Sequence, residues 1–223
     1  MSVYIKEPEQ KAEACVIWMH GLGADSSDMA GLVSQLKVSS LALRHVFIDA
    51  PRRPVTLNGG MIMPAWFDIY GMELIDRMDI QGIEQSEVII RQVMNSQIQD
   101  GFAPNQIYLA GFSQGGAMAL HTGLNTHERL GGIIALSAFL PSVVAKDCTQ
   151  LDKSTPFFIA SGLFDPLVLP LWTNQSKDWI AANGYEQISF YQYPMEHAIC
   201  VEEIIDISHW LETHVLGVTH DNC

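Results

Sequence analysis

The run Gly111-Phe112-Ser113-Gln114-Gly115 places a hydroxyl between two glycines, after the apolar stretch Ile107-Tyr108-Leu109-Ala110 and before a helical pattern opening near Gln114. A G-x-S-x-G run between strand and helix makes a tight turn on which the serine stands clear of the sheet. Glycine on either side leaves room where strand and helix crowd the turn. The amides at the start of the following helix favour negative charge, as develops in acyl transfer. A serine is a weak nucleophile at neutral pH. It needs an imidazole to take its proton and a carboxylate to hold that imidazole.

Chain order and loop position select those partners. His197 is the histidine that falls in a loop directly after a strand-like run, in Tyr193-Pro194-Met195-Glu196-His197. His121 falls on the helix after Ser113, His209 and His214 on the terminal helix, and His127 and His220 in polar segments. Asp165 follows the run Pro156–Ala160, inside a tight turn written by Gly162 and Pro166. Asp147 and Asp152 precede that run, Asp178 is mid-helix, and Glu196 adjoins His197, where two neighbouring side chains seldom face each other. His20-Gly21-Leu22-Gly23 follows the first clear strand-like run. The backbone amides of Leu22 and Gln114 are the candidate oxyanion donors, and the His20 ring is assigned to bracing the loop. Met63, Trp66, Leu163, Phe164, Leu167 and Val168 offer apolar surface nearby, which favours acyl chains over sugars or peptides.

These residues need a scaffold that gathers loops at one sheet edge. Strand-like runs recur at Cys15–Met19, His45–Ile48, Ile107–Ala110, Ile133–Leu136, Pro156–Ala160 and Ile188–Tyr193, with helical patterns between them. That alternation predicts an α/β fold, a mostly parallel central sheet with helices on both faces. Helices are expected over Ile80–Gln99, over Trp172–Asn183 with Gly184 as its cap, and from Ile199 onward. Catalytic loops of such folds gather at the carboxyl end of the strands. Residues 58–79 show no clean period and read as an apolar excursion, either a cover over one sheet end or a satellite cluster closing its edge. Residues 217–223 read as a tail. One domain spans 1–223.

A formal net charge of −13 makes nucleic acid an improbable partner. With 48% hydrophobic and 17% charged residues, the chain has the material for a core rather than the composition of a disordered segment. The four cysteines, Cys15, Cys148, Cys200 and Cys223, show no metal-ligand spacing, so no metal is expected. No signal-like or membrane-spanning run is visible, which leads to the expectation of a reduced, cytoplasmic protein. The excursion's Trp, Met and Phe suit peripheral contact with a membrane, contact with a second copy as a homodimer, or simple burial.

The chain resembles the carboxylesterase, lysophospholipase and acyl-protein thioesterase family of small α/β hydrolases, most of all its bacterial members. The resemblance rests on Trp18-Met19-His20-Gly21-Leu22-Gly23-Ala24-Asp25, Ala50-Pro51-Arg52-Arg53-Pro54-Val55-Thr56, Ala65-Trp66-Phe67-Asp68 and Gly111–Gly116. It continues through Leu136-Ser137, Leu140-Pro141, Phe164-Asp165-Pro166-Leu167-Val168 and His197-Ala198-Ile199-Cys200. It implies an α/β-hydrolase fold, a Ser113–His197–Asp165 triad, oxyanion donors at Leu22 and Gln114, no cofactor, and an acyl channel roofed around Trp66. The implied substrates are acyl esters or thioesters, with lysophospholipids as the alternative. A non-catalytic acyl-binding or lipid-binding module is the competing class. Pro64 stands where the family usually has a basic residue before Ala-Trp, and Ser161-Gly162 where it often has His-Gly.

Overall fold

The computed structural model describes residues 2–71, 78–141 and 152–217. Its strands are β1 (Val3–Lys6), β2 (Ala14–Met19), β3 (Leu43–Ile48), β4 (Arg52–Val55), β5 (Met61–Pro64), β6 (Ile107–Phe112), β7 (Gly132–Leu136), β8 (Phe157–Gly162) and β9 (Ile188–Tyr193). The helices are α1 (Ser26–Val33), α2 (Ile80–Gln99), α3 (Gln114–Leu124), α4 (Pro170–Ala182) and α5 (Val201–Leu216). Seven strands form one sheet in the order β1-β3-β2-β6-β7-β8-β9, and β4 and β5 form a separate hairpin. Within the large sheet β1 runs antiparallel to β3, and the other neighbours are parallel.

The central runs are apolar at successive positions because both faces of the sheet are covered. In β2, Cys15, Ile17 and Met19 face one core, while Ala14, Val16 and Trp18 face the other. β6 divides the same way, with Ile107 and Leu109 opposite Tyr108 and Ala110. The first core is closed by α2, α3 and α4 through Ile83, Ile90, Met118 and Ile180. The second is closed by α1 and α5 through Met29, Leu32, Ile207 and Trp210. Cys15 is wholly buried, and that burial pushes its thiol up to about 12, so it is inert packing.

The expected helices are present, with α4 opening on Pro170, two residues before Trp172, and Gly184 in the left-handed region just beyond its end. Sequence reasoning missed β1, α1 and the β4–β5 hairpin. The second strand of the hairpin, β5, lies near the start of the excursion, whose Met72 and Leu74 lie outside the described residues. The sheet register aligns the parallel strand ends. Met19 pairs with Gly111, Phe112 with Leu136, and Gly162 with Tyr193. The loops that follow β2, β6, β8 and β9 therefore leave from one edge.

Candidate active site

Ser113 sits between β6 and α3 with φ 54° and ψ −120°, a left-handed φ that a non-glycine residue adopts only under constraint. The constraint is visible in the backbone. The Ser113 amide donates to the Leu136 carbonyl at 2.9 Å, and the Ser113 carbonyl accepts from Ala117 at 2.9 Å. Glycine is required on both sides. A Cβ at Gly111 would enter the Gly115 backbone, and one at Gly115 would enter the Met19 and His20 carbonyls. These close approaches press the start of α3 against the end of β2, bringing the Gln114 amide beside the His20–Gly23 loop.

Asp165 and His197 meet because the β8–β9 pairing continues past the strands. The Leu163 amide donates to the Tyr193 carbonyl at 2.8 Å, and the Phe164 amide to the Met195 carbonyl at 3.0 Å. Gly162 allows this, since a Cβ there would overlap the Met195 and Glu196 carbonyl oxygens. Asp165 then turns inward, and its side chain has no solvent exposure. Its Oδ1 accepts the Leu167 and Val168 amides, each at 2.9 Å. Its Oδ2 lies 2.7 Å from His197 Nδ1. A carboxylate oxygen only accepts, so the network assigns the proton to Nδ1 and leaves Nε2 as the acceptor. The His197 ring packs on Phe112 with centroids 4.7 Å apart, next to Ser113 in the chain. Glu196, the rival carboxylate, is exposed.

Ser113 and His197 line one cavity of about 370 Å³. Leu22 and Gln114 line it too, and among the described residues no acceptor is found for either amide. Of the apolar residues proposed from sequence, Leu167 and Val168 are on its wall; Met63, Trp66, Leu163 and Phe164 are not. Leu163 and Phe164 face outward, the latter 65% exposed. Trp66 differs most from the expected channel roof. It is fully buried, its indole N–H donates to the His20 carbonyl at 2.8 Å, and Ser86 Oγ donates to its carbonyl. The apolar wall is instead completed by Met29, Leu57 and Ile69. Ile69 belongs to the excursion and Leu57 immediately precedes it, so that segment does reach the cavity, through a side chain other than those expected.

Two supporting residues emerge. Gln114 Oε1 accepts the Trp66 amide at 3.0 Å, and its Nε2 donates to the Phe67 carbonyl at 2.8 Å. The side chain thus ties the serine turn to the excursion. The His20 ring braces its loop, with Nδ1 donating to the Gly21 carbonyl at 2.7 Å and Nε2 accepting the Ala50 amide at 3.0 Å. His121 points away from the cavity and binds Glu87 on α2 at 2.8 Å. Among the described residues, no three His, Cys, Asp or Glu side chains gather as a metal site. Nor is any described helix long and apolar enough to cross a membrane.

Residues 2–215 match the family model described as Phospholipase/Carboxylesterase. The chain is 33% identical over 210 residues to acyl-protein thioesterase 1 of Yarrowia lipolytica, covering 91% of this chain and 92% of that protein. It is 32% identical over 222 residues to acyl-protein thioesterase 1 of Cryptococcus neoformans, covering 92% and 93%. Among solved structures, Arabidopsis thaliana SOBER1 superposes with a TM-score of 0.81 at 26% identity, covering 91% of this chain and 99% of that one. Zea mays acyl-protein thioesterase 2, at 23% identity, shares the fold with a TM-score of 0.85, covering 96% and 99%. The chain belongs to the phospholipase/carboxylesterase family of α/β hydrolases.

Proposed function

We propose that the protein hydrolyses acyl esters or thioesters through a Ser113–His197–Asp165 triad and an acyl-enzyme. The observation that carries this reading is the 2.7 Å bond from His197 Nδ1 to a fully buried Asp165 carboxylate, with His197 and Ser113 on the wall of one cavity. Fixing Nδ1–H leaves His197 Nε2 as the base for the Ser113 hydroxyl. Oγ attacks the acyl carbon, the carbonyl electron pair moves onto oxygen, and the Leu22 and Gln114 amides receive that oxyanion. The start of α3 adds its partial positive charge. The imidazolium, steadied by Asp165, protonates the leaving alcohol or thiol as the bond breaks. Water then enters by the same route, releases the acid and restores Ser113.

The Leu22, Met29, Leu57, Ile69, Leu167 and Val168 wall suits an apolar acyl chain. Oxygen and sulfur leaving groups share every step, and the relatives named as acyl-protein thioesterases favour the thioester side. Ser113→Ala or His197→Ala should lower turnover about 10⁶-fold, and Asp165→Ala about 10⁴-fold, because the oxyanion donors remain. Labelling with a fluorophosphonate followed by peptide mapping places the reactive serine. A folded protein that leaves Ser113 unlabelled and turns over neither octanoyl esters nor octanoyl thioesters would be a binding module instead.

A further inference from the structure

Two sequence stretches, Arg52–Thr56 and Ala65–Asp68, carry polar side chains that the proposed reaction does not use. The structure joins them. Asp68 takes the Thr56 amide on Oδ1 at 2.7 Å and the Thr56 hydroxyl on Oδ2 at 2.6 Å. One residue further along each stretch, the Leu57 amide donates to the Ile69 carbonyl at 2.8 Å. Leu57, just before the excursion, and Ile69, within it, both stand on the cavity wall.

This clasp is anchored to the body of the protein. The Asp68 amide donates to Asp79 Oδ2 at 2.9 Å, while Asp79 Oδ1 caps the twenty-residue α2 by accepting the Gly82 amide at 3.0 Å. Arg53 Nη1 lies 3.6 Å from the same Asp79 carboxylate. A Cβ at position 82 would collide with both the Asp79 carboxylate and the Arg53 guanidinium, so glycine there lets the group close. Leu57 itself has little apolar support. It lies in a single 3₁₀ turn, is 42% exposed, and is followed by Gly59 and Gly60, both at positive φ. Ile69 sits at an isolated bridge to Met78. Ile69 also packs against the first core, but on the Leu57 side polar bonds, rather than burial, fix where the wall stands.

We propose that Asp68 is a positioning residue for the acyl chain, its carboxylate holding Thr56 so that Leu57 and Ile69 form the wall against which longer chains pack. The inference rests on the esterase reading above. An acetyl group is too short to use this wall, whereas an octanoyl chain must pack somewhere along the cavity. Loosening the clasp therefore changes the preference between chain lengths, not the chemistry at Ser113.

The test compares p-nitrophenyl acetate with p-nitrophenyl octanoate in wild type, Asp68→Ala, Thr56→Val and Thr56→Ser. The octanoate-to-acetate ratio of kcat/KM should fall about tenfold in Asp68→Ala, mainly through KM, because misplaced binding groups cost rate without altering the catalytic groups. Thr56→Val removes only the hydroxyl bond, leaving Asp68 and its Asp79 anchor, and should shift the ratio in the same direction. Thr56→Ser restores that bond and should return the ratio to the wild-type value. An unchanged ratio in both Asp68→Ala and Thr56→Val overturns the inference, as does an equal loss on the two esters. Wild type inactive on both esters would instead sink the esterase reading itself.

Discussion

Glu203, in the first turn of α5, is a carboxyl with no solvent exposure and no hydrogen-bond partner in good geometry among the described residues. Burial pushes its pKa up to about 8. The nearby Cys200 amide opposes this, and the Asp206 charge adds to it. Tyr193 donates to Asp206 at 2.7 Å, and burial likewise raises the Tyr193 phenol and the Cys200 thiol. A second negative charge at Glu203 is thus opposed by its surroundings. The folded value for Glu203 lies above the ordinary 4.5, so between the two the folded chain keeps a proton that the unfolded chain has released. Stability from this group is full below pH 4.5, falls as pH rises, and is lost above about 8. At about 1.4 kcal/mol per pH unit, the whole interval is worth on the order of 5 kcal/mol, and roughly 3 kcal/mol of it lies above pH 5.5. Glu203→Gln cannot ionise. Urea unfolding of wild type and variant at pH 5.5 and pH 9 isolates the titration, because the constant cost of burying an amide cancels in the difference. The variant should gain roughly 3 kcal/mol on wild type between the two pH values. Parallel pH dependence in the two proteins would refute the reasoning.

His45 should produce the opposite dependence in acid. Burial, with Lys6 adding to it, lowers its pKa from 6.5 to about 4, and its Nδ1 accepts the Trp18 indole N–H at 3.0 Å. Stability from this group is present above pH 6.5 and lost as pH falls through about 4; His45→Asn should remove roughly 3 kcal/mol of that acid-side loss in chemical unfolding. Gly115→Ala drives a Cβ into the Met19 and His20 carbonyls; the serine turn must open, and both thermal stability and fluorophosphonate labelling should drop together. Gln114→Ala leaves the Trp66 amide and Phe67 carbonyl without their side-chain partner. The cost in unfolding free energy should be about 2–4 kcal/mol, with kcat reduced although the Gln114 backbone amide is retained.

The triad candidates were legible in the sequence to different degrees. Ser113 and Asp165 follow β6 and β8, which are buried on both faces and so announce themselves as apolar runs, whereas His197 follows the edge strand β9, a half-exposed run closed by Pro194. Chain order then fixes which loop carries which group, since parallel strands deliver their following loops to one edge. Elements held by other means were silent. Val3–Lys6 of β1 is exposed at all four positions; it exists through backbone pairing with β3, and backbone groups leave no pattern in side chains. Helix α1 opens on an Asp25–Asp28 capping box inside Asp25-Ser26-Ser27-Asp28, a polar run that hides the short apolar face behind it.

Trp66 shows why the cavity wall was harder to read than the triad. An aromatic side chain in a glycine-rich stretch is equally good material for a substrate surface and for a buried strut, and the choice is made by partners remote in sequence. Its amide is taken by Gln114, its indole by the His20 carbonyl, and its own carbonyl by Ser86. Those bonds turn the ring inward and place the next stretch, Phe67–Ile69, so that Ile69 rather than Trp66 faces the cavity. The same Gln114 is on the lining of that cavity. The proposed acyl wall and the proposed oxyanion donor at position 114 therefore meet in one residue, and a change that moves one should be felt by the other.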